Sequence, residues 1–272
     1  MKKILVIPSI NNLDDILNTD IDGVLLPISG LACEFDNYYD IHDIKKILNK
    51  TSKEVSVIIN KIMHNSDLDK LEITLIELNK LNIDKILFYD LSVMNMANRL
   101  NINKNLAIYQ DHLNASRNSN NFYKKRGINY SVVTNDITLE EINNISKSIK
   151  VMLICYGYLP IFYSRRYLIS NYLKYINKDK NSNLYYIRHK DKLYPIKEED
   201  NGCVIYTDKP INLINEIDNI NCDYIIINSI NIDNNTLLEV IDNYINNKKD
   251  NKDNYLGFLH NKTVYKVGDY DK

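Results

Sequence analysis

Tryptophan is absent from this sequence, and heavy use of Asn, Ile, Lys and Tyr accompanies it, a bias that AT-rich coding produces before function does. The four cysteines, Cys33, Cys155, Cys203 and Cys222, are scattered. They form no C-x-x-C pair of the kind zinc and redox sites use, so each reads as a small buried or free thiol. No apolar run approaches the roughly 18 residues of a membrane span. The opening MKKILVIPSINN has an apolar run too brief for a signal peptide and no small-residue cleavage site, so it reads as a first strand of a protein expected in the cytoplasm. Charge of one sign is lacking too. With 34 Lys and Arg against 35 Asp and Glu, the net charge is -1, which argues against a surface built wholly for nucleic acid but leaves room for a local basic groove. Pro8-Ser9-Ile10-Asn11 stands where a dinucleotide-binding fold would carry G-x-G-x-x-G. Neither a G-x-S-x-G elbow nor an H-E-x-x-H helix occurs, and the histidines do not sit at ligand spacing with carboxylates.

What is present is a repeated unit. Ile4–Ile7, Val24–Ile28, Val55–Ile59, Ile86–Tyr89, Leu106–Tyr109, Tyr130–Val133, Val151–Cys155 and Tyr224–Ile227 are short apolar runs of strand length. Segments at helical spacing separate them. Helices are predicted from Asn11–Asn12, after Asp40 as N-cap, after Ser66, over Ser92–Leu100, around Phe122, after a Thr138/Glu141 capping box, near Ile211–Ile217 and from Thr236. Eight such units in 272 residues predict an α/β chain with a TIM-like (β/α)8 barrel, complete or somewhat distorted, forming a single domain over 1–272. An open doubly wound sheet is the alternative. Leu184–Ile187 and Val204–Tyr206, with a turn at His189-Lys190-Asp191, predict a β-hairpin insert at about 178–209, before the last βα unit. The polar run at about 246–254 reads as a flexible loop, and Phe258–Val267 as one more extended piece.

In a barrel the strand carboxyl ends meet at one mouth. That places Asn60, Asp90, Gln110, His112, Tyr156 and Tyr158 there, with Ser9, Ser29, Asn135 and Ser229. The stretch Val151–Tyr172 begins as a buried strand, is broken by Gly157 and Pro160, and presents Ser164-Arg165-Arg166-Tyr167 just beyond. Two guanidinium groups can hold a carboxylate or phosphate in bidentate fashion. His112 is the strongest acid or base candidate, but the adjacent Asp111 points to the opposite face and cannot form a simple dyad with it. A solvent-facing histidine and a loop-shaping arginine are the plain readings of the same residues. His64, in the loop after the third strand, has the same status as His112.

The residues also resemble a known family. Asn60-Lys61-Ile62-Met63-His64-Asn65, the long helix after it and Ile86–Val93 look like the central region of peptidase family U32. Gln110–Asn118 is similar to that family's Gln-x-x-x-Asn segment, which adds Asn114 to the candidates, and Thr138–Ile142 resembles its Ser-Leu-Glu-Glu-Ile helix start. Tyr156–Pro160 and Tyr163–Tyr172 match its Gly-x-x-Pro, Ser-x-Arg-Cys and Ser-Asn-Tyr pattern. The resemblance covers about the first two thirds of the chain. It implies either a collagenase-like peptidase or an oxygen-independent hydroxylation protein acting on RNA bases or the ubiquinone ring with a four-cysteine iron–sulfur cluster. Here Tyr167 replaces the family cysteine, and Cys33 is the sole family-like ligand position, so no cluster and no metal site is expected. Thr134-Asn135-Asp136 also departs from the family's Ala-Arg-Glu.

Two function classes follow. In one, a protein with a pocket at the strand carboxyl ends, either a hydrolase of peptidase type or a cluster-free relative of the RNA and quinone hydroxylation proteins, keeps His112, Asp90 and Arg166 as catalytic groups. Asn60, Gln110, Asn114, Tyr156, Tyr158, Ser164 and Arg165 then bind a small molecule or peptide. In the other, the chain is a non-catalytic partner or scaffold for a cluster-bearing U32 paralogue. RNA binding, suggested by basic and aromatic residues interleaved from Tyr156 to Tyr175, is a less favoured third reading. No membrane partner is expected.

Overall fold

The structure, a computed structural model, describes residues 2–9, 12–110 and 112–261. In chain order the first strands and helices are β1 (Lys3–Ile7), α1 (Leu13–Leu17), β2 (Gly23–Pro27), α2 (Ile41–Lys50), β3 (Glu54–Ile59), α3 (Leu68–Asn79), β4 (Lys85–Phe88) and α4 (Leu91–Arg99). Then come β5 (Asn105–Tyr109), α5 (Arg117–Lys124), β6 (Tyr130–Val132), α6 (Leu139–Ile145) and β7 (Lys150–Gly157). A second group follows, comprising β8 (Pro160–Ser164), α7 (Leu168–Tyr175), β9 (Leu184–His189), β10 (Lys192–Glu199), β11 (Gly202–Tyr206) and β12 (Ile211–Asn212). The last pair is β13 (Tyr224–Asn228) and α8 (Asn234–Ile245).

Strands β1 to β7 pair in parallel with their chain neighbours, and β13 lies between β7 and β1 to close the ring. The expected eight-stranded α/β barrel is therefore present. Its strands are buried along nearly their whole length, because one face fills the interior and the other lies under helices. At the amino-terminal end of the ring, Lys85 forms an ion pair with Glu54 and places its ammonium 4.5 Å from the Tyr224 ring centre and 4.9 Å from that of Tyr130. A buried ammonium needs such a carboxylate and aromatic faces around it. This floor leaves the carboxyl ends as the open mouth.

The helices start as their sequences dictate. Asp40 and Thr138 accept bonds from the Asp43 and Glu141 amides, and both capping boxes are complete. Ser66 is a different case, because Asn65–Asp67 forms a 3-10 turn and α3 begins after Asp67. The first helix begins at Leu13 with Asn12 as its N-cap residue, while Asn11 lies outside the described residues.

The hairpin insert is also present, as β9 and β10 turning at Lys190, whose φ of 55° is the left-handed value a tight turn requires. It is larger than expected. β11 and β8 extend it to a four-stranded antiparallel sheet in the order β8-β11-β10-β9, with α7 packed on its outer face through Ile169 and Leu173. Pro160–Ser164, which reads as loop in sequence, is thus an edge strand. The helix predicted near Ile211–Ile217 is the short strand β12, antiparallel to β7, followed by turns. Ile211, Leu213, Ile214 and Ile217 are all buried there, so tertiary packing produced their spacing. Within the polar run at 246–254, Asp250 accepts bonds from Asn215 Nδ2 and Asn254 Nδ2, at 3.1 and 2.7 Å, which ties the loop down. Of the piece at Phe258–Val267, residues 258–261 form turns and bends, and the remainder lies outside the described residues. Among the described residues no helix is long and apolar enough to cross a membrane.

Candidate functional site

The polar residues of the mouth fall into three groups. On the β2–β3 rim, the buried Asn60 clamps the loop after β2. Its Oδ1 accepts from the Cys33 amide at 2.9 Å, and its Nδ2 donates to the Cys33 carbonyl at 3.2 Å and to Glu34 Oε2 at 3.4 Å. Glu34 is held at φ 76°, a left-handed conformation uncommon outside glycine. The insert sheet lies over this loop. Tyr206 donates to the Glu34 carbonyl at 3.1 Å, Tyr38 donates to Glu199 at 2.5 Å, and Lys197 joins Glu199 at 2.6 Å to Asp36 at 2.9 Å. Between loop and sheet remains a cavity of about 10 Å³, bordered by Cys33, Glu34, Tyr163, Gly202, Val204 and Tyr206, the scale of a single water. Burial pushes the Tyr163 phenol well above its usual pKa, and neighbouring Cys33 and Glu34 push it further.

On the β5–β6 rim, His112 and Gln110 border a hollow of about 30 Å³ together with Thr134, Asp136, Leu159 and Pro160. His112 Nδ1 lies 2.9 Å from Asp136 Oδ2, and Thr134 donates to the same carboxylate oxygen at 3.2 Å. A carboxylate accepts a hydrogen bond from a protonated Nδ1, so this pair orients the imidazole ring at the mouth. Asp136 is the residue that the sequence reading missed. Its signal was the departure Thr134-Asn135-Asp136, which puts a carboxylate just past the sixth strand. Gln110 donates to the Tyr89 carbonyl at 3.1 Å and accepts from Tyr123 at 3.3 Å.

The third group lies on the insert. Arg165 and Arg166 are exposed beyond β8, and Ser164 Oγ accepts from the Arg166 amide at 3.2 Å. Neither rim cavity includes them. Next to them a polar cleft of about 830 Å³ opens between the β2 loop, Lys70 and the insert, bordered by Tyr38, Tyr167, Asn171, Lys180 and Asn201.

The remaining candidates have structural partners. Asp90 caps α4 through the Ser92 amide at 2.8 Å and accepts from Met63 N at 3.1 Å. Asn114 is fully buried, donates to the Val132 carbonyl at 2.9 Å and accepts from Asn120 at 2.8 Å, bracing β6 against α5. Tyr156 is buried, and burial raises its pKa to about 12. Tyr158 packs with Val204, Tyr206 and Ile230. The structure therefore brings His112 and Gln110 together, seats Asn60 against Cys33, and keeps Arg166 apart from both, in the bend between β8 and α7.

The donor set does not fit a cysteine-held cluster. Cys203 alternates with Gly202 and Val204, so these two face the Cys33 cavity while Cys203 points away into the packing of Ile169 and Leu173. Burial, with Glu198 nearby, raises its pKa to about 11. Cys155 and Cys222 are buried in the barrel core cluster. Tyr167 donates its hydroxyl to the Asp200 carbonyl at 3.0 Å. Among the described residues no group of three His, Cys, Asp or Glu side chains could hold a metal ion.

A model of peptidase family U32 matches residues 13–256. The chain belongs to this family. From Bacillus subtilis (strain 168), the protein named tRNA hydroxylation protein P2 is 25% identical to this U32 chain over 198 residues, 69% of this chain and 64% of that protein. The chain thus spans a little under two thirds of the length of that curated relative. Among solved structures, the U32 peptidase Mk0906 superposes with a TM-score of 0.54 at 12% identity, covering 84% of this chain and 92% of the other, a likeness of fold.

Proposed function

We propose that this U32 protein serves RNA hydroxylation of the kind named for its Bacillus relative, as a cluster-free partner of a cluster-bearing paralogue rather than as a peptidase. The observation that carries this reading is the dispersal of its thiols. Cys33, Cys203 and the Cys155/Cys222 region occupy separate surroundings, and Tyr167 stands where the resemblance to the family implies a ligand cysteine. A chain that cannot assemble four thiolates around iron can still position the substrate for one that does. The relative's name supports RNA as that substrate.

One observation favours a second reading. Asp136 orients the His112 ring at the barrel mouth, an arrangement of the kind a hydrolase can use for acid–base chemistry. A single experiment separates the two. In cells lacking this chain, hydroxylated tRNA nucleosides measured by mass spectrometry are expected to fall, and the wild-type chain to restore them. Under the partner reading His112→Ala restores them equally well. Unchanged nucleosides in the deletion strain overturn the proposal. Rescue by wild type but not by a well-folded His112→Ala protein, together with peptide hydrolysis that this variant loses, establishes the hydrolytic reading instead.

A further inference from the structure

The segment 165–180 differs from the rest of the chain. Arg165, Arg166, Lys174, Lys178 and Lys180 face a single acid, Asp179, in a protein whose overall charge is -1. The structure shows where these charges go. Helix α7 buries Ile169 and Leu173 against the insert sheet, so the 3.6-residue period turns the positions between them outward. On that outward side Tyr172 is 62% exposed and Tyr175 84%, and Tyr167, at the N-cap, is 48% exposed. These are high values for a ring that usually buries most of its face. Lys180 pairs with Glu198, but among the described residues Arg165, Arg166, Lys174 and Lys178 have no carboxylate partner.

We propose that this outer face of α7 is a docking surface for single-stranded RNA, with Tyr172 and Tyr175 as stacking platforms and Arg165, Arg166, Lys174 and Lys178 as phosphate contacts. The proposal rests on the RNA reading above and names the surface that reading needs. Three arguments select this occupant. Charge complementarity favours a polyanion, since this segment concentrates cations in a protein whose overall charge is -1. Side chains three positions apart on a helix have Cβ atoms about 5–6 Å apart, so Tyr172 and Tyr175 can take neighbouring bases. Finally, the backbone amides at the start of α7 are already used. Glu198 accepts from Ile169 N at 2.8 Å and from Ser170 N at 3.1 Å, so phosphate recognition falls to the guanidinium and ammonium groups. The 830 Å³ cleft beginning at Tyr167 and Asn171 is lined by Asp36, Glu199 and Asp200, so it bounds the cationic face and does not extend it. A duplex offers no unstacked bases to such rings, which makes the single strand the preferred form.

The test is fluorescence anisotropy of the purified full chain with a labelled single-stranded oligouridylate and with a duplex of equal length. Single-strand binding is expected to weaken with salt, each phosphate contact contributing about 0.7 to the log–log slope. Arg165→Ala/Arg166→Ala is expected to flatten that slope by about one unit or more. Tyr172→Ala/Tyr175→Ala is expected to weaken binding by roughly tenfold or more per ring and leave the slope unchanged. All four side chains are exposed, so circular dichroism should match the parent. Binding that neither double variant alters overturns the proposal. So does tighter binding to the duplex, or a face whose variants lose a co-purifying U32 paralogue while keeping RNA affinity. If the variants lose RNA binding while the deletion strain keeps its hydroxylated nucleosides, the surface stands and the hydroxylation role falls.

Discussion

Glu198 shows how much one side chain can hold together here. It is fully buried, caps α7 through two backbone amides, accepts from Ser170 Oγ and pairs with Lys180 at 3.1 Å. Burial pushes its carboxyl pKa up, but the hydrogen bonds from Ser170 and Lys180 outweigh that and hold it below the ordinary value. A folded pKa below the unfolded one contributes stability that is present above the unfolded carboxylate pKa and is lost as pH falls through the folded one. Glu198→Gln is therefore expected to cost roughly 1.5–3 kcal/mol at neutral pH, with the deficit shrinking in acid, as read by urea unfolding at both pH values. A deficit independent of pH would contradict this assignment. In sequence Glu198 is one of the run Lys197-Glu198-Glu199-Asp200, and nothing local marks which acid is buried. That depends on α7 crossing its strand. The partnership of His112 with Asp136 was hidden for the same reason, since it depends on β5 lying beside β6. Asn114 shows the converse: its motif was legible, but its place inside the β6–α5 contact was not.

At the level of elements, the barrel strands were readable because each is an apolar run with breakers at its end, and the caps at Asp40 and Thr138 were readable because capping is a local exchange of hydrogen bonds. The insert was only half readable. Phe162 and Ile161 in β8 remain exposed, so the strand lacks the burial signal that marks its barrel counterparts. Its pairing with β11 relies on Gly202, which sits at φ 128°, where an added Cβ would lie 2.8 Å from Arg165 Cα and closer still to the Ser164 carbonyl. Gly202→Ala is expected to destabilise the insert by about 1–3 kcal/mol and to open the chain to proteolysis near Ser164–Arg166, well below the temperature at which the barrel melts. Cleavage and melting that coincide would mean that sheet and barrel unfold as one unit.

For the whole molecule, the decisive contact is the one between distant parts of the chain. Tyr224 of β13 stands opposite Lys3 of β1 on one side and opposite Met152 of β7 on the other. A chain ending before Tyr224 therefore leaves β1 and β7 as two open edges, and it is expected to pellet on centrifugation under conditions that keep the full chain in the supernatant. Recovery of a soluble, monomeric fragment would show that another segment can cover those edges.

The placement of this wedge also sets a timetable for the nascent protein. Seven staves of the ring emerge from the ribosome before the eighth exists, and the antiparallel insert is synthesised in the interval. Its hairpins join neighbours in the chain, so it can fold early on local contacts while the ring still waits. Tyr206 then reaches back to the loop around Glu34, so the finished insert can hold the first staves in place until the last one arrives.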